Sequence, residues 1–244
     1  MPSFPIRALL LDVEGTTSSV SYVYDVLFPF AREHAADYIA THHQTPAAQK
    51  ALDMLARDAG AESWADWTAG LTATAARQRA LDEVARLMDG DIKATGLKEL
   101  QGLIWKQGFE SGQLRAHIYE DVPPALAAWQ AAGLTTQIYS SGSIAAQKLF
   151  FGHTERGNLL PNLSGHYDTT TGPKREELSY QKIAEVIGLP TERILFLSDI
   201  VPELDAARTA GMQTALVVRP GNAPVDANQP HPVVRTFAEV RIGE

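Results

Sequence analysis

The sequence predicts an α/β protein: a doubly wound parallel sheet with a helical domain inserted after its first strand. Three observations predict it. Ala8-Leu9-Leu10-Leu11 is an unbroken apolar run that ends abruptly in Asp12-Val13-Glu14-Gly15-Thr16-Thr17, and short runs of this kind are strands buried on both faces of a parallel sheet. Beyond Gly112 the pattern becomes a strict alternation of strand and helix signals. Between these two regions the chain shows helical periodicity and few strand signals.

The helical block comes first. Tyr24, Leu27, Phe28 and Ala31 follow the spacing of one buried helix face, and Pro29 inside it should kink or restart the helix. Thr45-Pro46 reads as an N-cap with proline at the first helical position, opening a helix through Ala51, Leu52 and Leu55 to Gly60. A further helix runs from Ala73 to Met88 and stops at Asp89-Gly90, and Leu97, Leu100, Leu103 and Ile104 give another apolar face. Trp64, Trp67 and Trp105 read as core of this block. Then come a helix over Val122–Ala132, a strand over Thr135–Ser140 and a helix carrying Ala145, Leu149 and Phe150. Glu177–Ile187 is a helix, Ile194–Ser198 a buried strand, Pro202–Ala210 a helix and Thr214–Val218 a strand, while Pro220–Pro232 reads as loop. The expected division is a core of residues 1–19 plus 116–244 and a helical domain of residues 20–115.

Composition narrows the class. The 244 residues are 45% hydrophobic and 20% charged, which is ordinary for a soluble globular protein. There is no cysteine, so disulfides, thiolate metal sites and cysteine nucleophiles are excluded. The net charge of -8, with Lys and Arg scattered, argues against nucleic acid as a partner. No apolar run has the length of a membrane span, and Met-Pro-Ser-Phe-Pro-Ile-Arg carries no secretory pattern, so no membrane partner and a cytoplasmic location are expected.

Chemistry concentrates where three strands end. Asp12 and Glu14 follow the first, Ser140 and Ser141 the second and Asp199 the third, with Glu203 one helical turn beyond. Ligands in open α/β sheets bind outside the carboxyl ends of the strands. Two close carboxylates repel each other, and a divalent cation is the common remedy. Thr171-Gly172-Pro173-Lys174 adds a lysine before a helix. Each residue also has a plainer reading. Ser140 to Ser143 fit an ordinary N-cap, Lys174 a solvated charge, Asp199 a cap for the helix at Pro202 and Glu203 the dipole of its first turn. Asp205 fits the dipole reading alone.

The set Asp12, Ser140/Ser141, Lys174 and Asp199, with its inserted helical cap, resembles the haloacid dehalogenase-like (HAD) hydrolases along the whole chain. Asp12-Val13-Glu14-Gly15-Thr16-Thr17 carries Glu where most of that superfamily carries a second Asp. The Glu form is similar to the enolase-phosphatase family of methionine salvage. Tyr139-Ser140-Ser141-Gly142-Ser143 with Ala146-Gln147-Lys148-Leu149-Phe150, Leu103-Ile104-Trp105 with Gly108-Phe109 and Gly112, and Leu197-Ser198-Asp199-Ile200 resemble the same family. The resemblance implies a HAD-like Rossmann-type core and a small phosphate ester as substrate. It implies Asp12 as nucleophile and Glu14 as general acid and base. Asp12, Glu14 and Asp199 would hold one Mg²⁺, with Glu203 behind them through water. Ser140, Ser141 and Lys174 would hold the phosphoryl group, Gly15 would let the backbone approach it, and Thr16 would offer a further donor. It also implies a monomer. Tyr22, Tyr24 and Trp67 are candidates for a wall against the substrate's thioether, with core packing the plainer reading of each. Competing functions are a capped phosphatase for another ester such as phosphoglycolate, a dehalogenase, and a non-catalytic binding module on the same fold.

Overall fold

The computed structural model describes residues 3–226 and 228–243. The chain passes through a two-residue strand, Ser3–Phe4 (β1), and reaches Ala8–Leu11 (β2), in which all four residues are buried. Burying each leucine contributes about 1.5–3 kcal/mol, so this strand anchors the core. A short helix, Val20–Tyr22 (α1), follows, with the Ser19 side chain accepting from Tyr22 N–H.

Segments Met1–Val23 and Arg115–Glu244 make one compact unit and Tyr24–Leu114 a second. The second unit is helical: Phe28–His42 (α2), Pro46–Asp58 (α3), Trp64–Trp67 (α4), Ala73–Asp89 (α5) and Thr95–Ser111 (α6). A π-helical turn, Val23–Leu27, precedes α2, and Pro29 lies in the first turn of α2, where a missing N–H costs little. Thr45 caps α3 by accepting from Ala48 N–H, and Thr72 caps α5 through Ala75 N–H. Ile39, Leu52, Leu55, Leu87, Leu97 and Leu100 form the core of this unit, with Trp64, Trp67 and Trp105 partly buried against it. Helices α3 and α6 approach closely because residue 96 is glycine; a Cβ there would stand 2.2 Å from Leu55 N.

In the first unit the chain resumes with Val122–Ala131 (α7), Thr135–Tyr139 (β3), Ile144–Gly152 (α8), Gly165–Tyr167 (β4) and Glu177–Ile187 (α9). Ile194–Ser198 (β5), Val201–Thr209 (α10), Gln213–Val217 (β6), Val233–Val234 (β7) and Arg241–Ile242 (β8) complete it. Six strands form one parallel sheet in the order β4-β3-β2-β5-β6-β7, and β1 pairs with β8 apart from it. Leu10 and Phe196 join Tyr180, Ile183 and Leu204 in a core between the sheet and helices α9 and α10. Leu9 and Leu11 are equally buried outside that cluster, as a strand covered on both faces requires. The chain winds from β2 toward β4 on one side and from β5 toward β7 on the other. The direction therefore reverses beside β2, and the crevice at such a switch point is where ligands bind.

The loop after β4 is fixed by Asp168. Its carboxylate accepts from Ile144 N–H at the start of α8 (3.0 Å) and from the N–H and hydroxyl of Thr170 (2.9 and 2.6 Å). Burial raises its pKa, but the bonds from Thr170 and Ile144 outweigh that and hold it below the ordinary carboxylate value. The charged form is therefore favoured in the fold. Its stabilisation is full at neutral pH and fades as pH falls through that lowered value. Asp168→Asn should lower stability at pH 7 by about 1–3 kcal/mol in denaturant melts, with the gap to wild type narrowing in acid. A constant gap would contradict the assignment.

Candidate active site

Asp12 is the first residue beyond β2. The register pairs Leu11 with Leu197, so Asp12 stands level with Ser198 on the neighbouring strand, and its N–H donates to Leu197 O at 3.0 Å. Lys174 Nζ lies 2.6 Å from Asp12 Oδ1 and 2.6 Å from Glu203 Oε2. Ser198 Oγ lies 3.4 Å from Asp12 Oδ2 and 3.1 Å from Glu203 Oε2, one hydroxyl proton between two carboxylates, while accepting from Ile200 N–H. The side chains of Lys174, Asp12 and Glu203 are only 9%, 5% and 12% exposed, so water does little to screen them.

This burial sets the electrostatics. It opposes the charge on Lys174, but Asp12 and Glu203 outweigh it and hold the ammonium above its usual pKa. Glu203 is pushed up to about 7 by burial and then by the charge of Asp12, with Lys174 pulling the other way. Asp199 is pushed up to about 7 as well, by burial first and by Asp12 next. Three carboxylates thus crowd one ammonium, and the cluster carries excess negative charge.

Gly15 makes the crowding possible. Its φ is +74°, and a Cβ would stand 2.3 Å from Asp199 Oδ2; any side chain would displace that carboxylate. Asp199 Oδ1 is buried with no hydrogen-bond partner. Asp199 does not cap α10: the N-cap position is Ile200. An unpartnered carboxylate oxygen beside a second acid is a hard donor set, which suits Mg²⁺, an ion that often takes one or two carboxylates and completes its shell with water. Among the described residues no three His, Cys, Asp or Glu side chains form a metal-binding group. Lys174 stands between Asp12 and Glu203, so Asp12 and Asp199 are the side chains that fit a cation.

The loop of Lys174 is tied down at three carbonyls. Tyr139 Oη donates to Gly172 O (2.8 Å), Ser179 Oγ to Pro173 O (2.7 Å) and Tyr180 Oη to Lys174 O (2.6 Å). Lys174 is therefore not a solvated surface charge. Ser140 is buried at the end of β3, on the same sheet edge as Asp12, and its Oγ accepts from Gly142 N–H. Ser141 is exposed, and the cap of α8 belongs to Ser143, which accepts from Ala146 N–H. Glu14 is exposed on the turn after Asp12, bridged by backbone to Ser18. Tyr22 is buried in the first unit, its hydroxyl donating to Arg115 O at 2.8 Å, so core packing is its reading. Trp67 is partly buried against the core of the second unit, and Tyr24 is 59% exposed. Asp205 lies apart, paired with Arg208 and His231.

Four residues of this site were not legible as functional. Ser198 reads in sequence as the end of an apolar strand. Asp121, Arg219 and Asn222 sit in stretches without a motif. Arg219 is buried between the rings of Tyr119 and Phe237, 4.4 and 5.0 Å from its guanidinium carbon. It donates twice to Asp121 (2.9 Å each) and once to Thr16 O (3.1 Å). Asn222 Nδ2 donates to Gly15 O at 2.9 Å. The turn that follows Asp12 is therefore held by side chains from beyond β6.

The chain matches the family model of the haloacid dehalogenase-like hydrolases over residues 6–211, and it belongs to that family. It is 50% identical to Enolase-phosphatase E1 of Synechococcus elongatus over 91% of this chain and 92% of that protein. It is 43% identical to Enolase-phosphatase E1 of Drosophila virilis over 97% and 96%. Within the hydrolases, the chain is a member of the enolase-phosphatase E1 family. Among solved structures, the UTR4 protein of Saccharomyces cerevisiae superposes with a TM-score of 0.77 at 31% identity, covering 96% of this chain and all of that one.

Lys174→Met should leave the buried acids unbalanced and lower stability by about 3–5 kcal/mol. Denaturant melts of metal-free protein would measure this. An unchanged midpoint would show that the ion pairs contribute nothing net.

Proposed function

We propose that this chain is a Mg²⁺-dependent enolase-phosphatase. It would convert 2,3-diketo-5-methylthiopentyl-1-phosphate to 1,2-dihydroxy-3-keto-5-methylthiopentene, the acireductone, plus phosphate, in methionine salvage. The observation that carries this reading is Asp12, buried at the switch point with Lys174 Nζ at 2.6 Å, in a chain whose relatives bear the enolase-phosphatase name.

A phosphate monoester dianion repels an attacking anion until its charge is offset. Lys174 supplies one positive charge, and the hydroxyls of Ser140 and Ser141 with nearby N–H groups would hold the phosphoryl oxygens. Asp12 attacks phosphorus and the ester oxygen leaves with the electron pair of the broken P–O bond, protonated by Glu14. Water then attacks the aspartyl-phosphate, passes a proton to Glu14, and releases phosphate with the Asp12 carboxylate restored. Glu14 lies on the exposed side of the turn, where a substrate can reach it. It is also the base proposed for enolisation, removing the proton from the carbon that bears the ester. Asp12, the backbone near Glu14 and Asp199 would hold Mg²⁺, which supplies charge neutralisation at the phosphoryl group. Glu203 is assigned a place behind them, holding Lys174 and Ser198. On the family resemblance, the enzyme is proposed to be a cytoplasmic monomer that acts on a small molecule alone. Among the described residues no helix is long and apolar enough to cross a membrane.

A phosphate-release panel tests the reading. The diketo-methylthio ester or its desthio analogue should be turned over in preference to phosphoglycolate, with activity abolished by chelator and restored by Mg²⁺. Asp12→Asn should lower release by on the order of 10³-fold or more. Preference for phosphoglycolate, or full activity in chelator, would contradict the substrate or the metal assignment respectively.

A further inference from the structure

Among the described residues, four buried side-chain oxygens have no hydrogen-bond partner: Thr16 Oγ1, Tyr119 Oη, Asp199 Oδ1 and Asn222 Oδ1. All belong to residues around the Gly15–Thr16 turn. A Cβ on Gly15 would meet Asp199 Oδ2 at 2.3 Å and Asn222 Oδ1 at 3.1 Å, so these two side chains converge on one side of the glycine. Thr16 is the next residue and is wholly buried. Tyr119 N–H donates to Thr17 O, and its ring stacks on the Arg219 guanidinium that holds Thr16 O.

The orientation of the Asn222 amide is fixed by its partners. Nδ2 donates to Gly15 O at 2.9 Å and to Val217 O at 3.3 Å. Both are carbonyls, which only accept, so the amide NH₂ must face them and Oδ1 must face the other way. Oδ1 is then an acceptor on the same side of Gly15 as the Asp199 carboxylate, whose own Oδ1 is buried without a partner. Two buried acceptors left without partners around one turn call for a donor or a cation. Water polarised by a divalent ion is a strong donor that fits between them, and outer groups of this kind commonly orient a metal's ligands.

We propose that Asn222 is part of the cation site, its Oδ1 taking a hydrogen bond from water on the divalent ion held by Asp12 and Asp199. The inference rests on the reading of Asp12 and Asp199 as that site. One side chain thus has two tasks: its nitrogen holds the carbonyl of Gly15, and its oxygen engages the solvent shell of the ion. The turn that carries Glu14 and the ion are tied to the same residue.

Titration with Mn²⁺ alone, following free metal by electron paramagnetic resonance, tests this without substrate. Asn222→Ala should weaken Mn²⁺ binding by about ten-fold. Asn222→Asp, which keeps an oxygen and adds charge while losing the NH₂, should bind as tightly as wild type or tighter. Asn222→Ala within about two-fold of wild type, or Asn222→Asp weakened as much as Asn222→Ala, would overturn the proposal; the latter would make the amide a clamp on Gly15 and nothing more. Should Asn222→Ala fail to fold, Asn222→Asp decides alone, tight binding supporting the proposal and weak binding overturning it. Asp199→Asn separates the two levels of the argument. Wild-type binding that depends on Asp199 but not on Asn222 overturns only this inference, whereas wild-type binding unaffected by Asp199→Asn overturns the cation reading beneath it.

Discussion

A buried lysine shared between two buried acids organises this protein. Lys174 reaches Asp12 and Glu203 at the same 2.6 Å. Taking three ions out of water is expensive, and only close geometry and further hydrogen bonds make it tolerable. The fold supplies both. Parallel register brings Asp12 level with Ser198, α10 presents Glu203 one turn on, and three hydroxyls pin the carbonyls of residues 172–174. Two of those hydroxyls, from Tyr139 and Tyr180, belong to rings packed edge to face in the core beneath. The position of the ammonium is therefore set by the packing of apolar surface, not by the charges alone.

The same cluster explains why the site calls for positive charge. Asp12, Asp199 and Glu203 outnumber Lys174, and Asp199 and Glu203 are both pushed up to about 7, by burial first and by the neighbouring acid next. A phosphate ester adds further negative charge. A cation would relieve this excess, and Asp199 Oδ1, buried and unpartnered, is where the chain would offer it a ligand. Gly15 is the steric condition for this, since nothing larger fits against Asp199.

Much of this was legible in the sequence, and for physical reasons. The run Ala8–Leu11 is apolar because β2 is covered on both faces, and Thr45 begins a helix because its oxygen accepts a backbone N–H group. Asp12, Lys174 and Asp199 fall where strands end or a loop meets a helix. The short strands β1, β4, β7 and β8 escaped, because two or three residues are too few to show a period. Ser198 escaped because it ends an apolar strand, and its polar partner Asp12 lies 186 residues away. Asn222 and Arg219 escaped for a similar reason. The stretch after β6 is rich in Pro, Gly and Asn and reads as loop, yet it clamps the carbonyls of Gly15 and Thr16 across 207 and 203 residues. Part of that stretch, Ala227, lies outside the described residues. The thioether wall was not legible either: of its three candidates, Tyr22 is core and Trp67 is packed on core, and only Tyr24 is exposed.

Asp12 is the residue proposed to take the phosphoryl group, and trapping that group tests the assignment most directly. Glu14→Gln, mixed with the desthio analogue of the diketo ester in a single turnover and quenched in acid, should accumulate an acyl phosphate. Borohydride reduction followed by peptide mass spectrometry should then find homoserine at position 12. Phosphoryl label on another residue, or phosphate released in a burst with position 12 unmodified throughout, would contradict it.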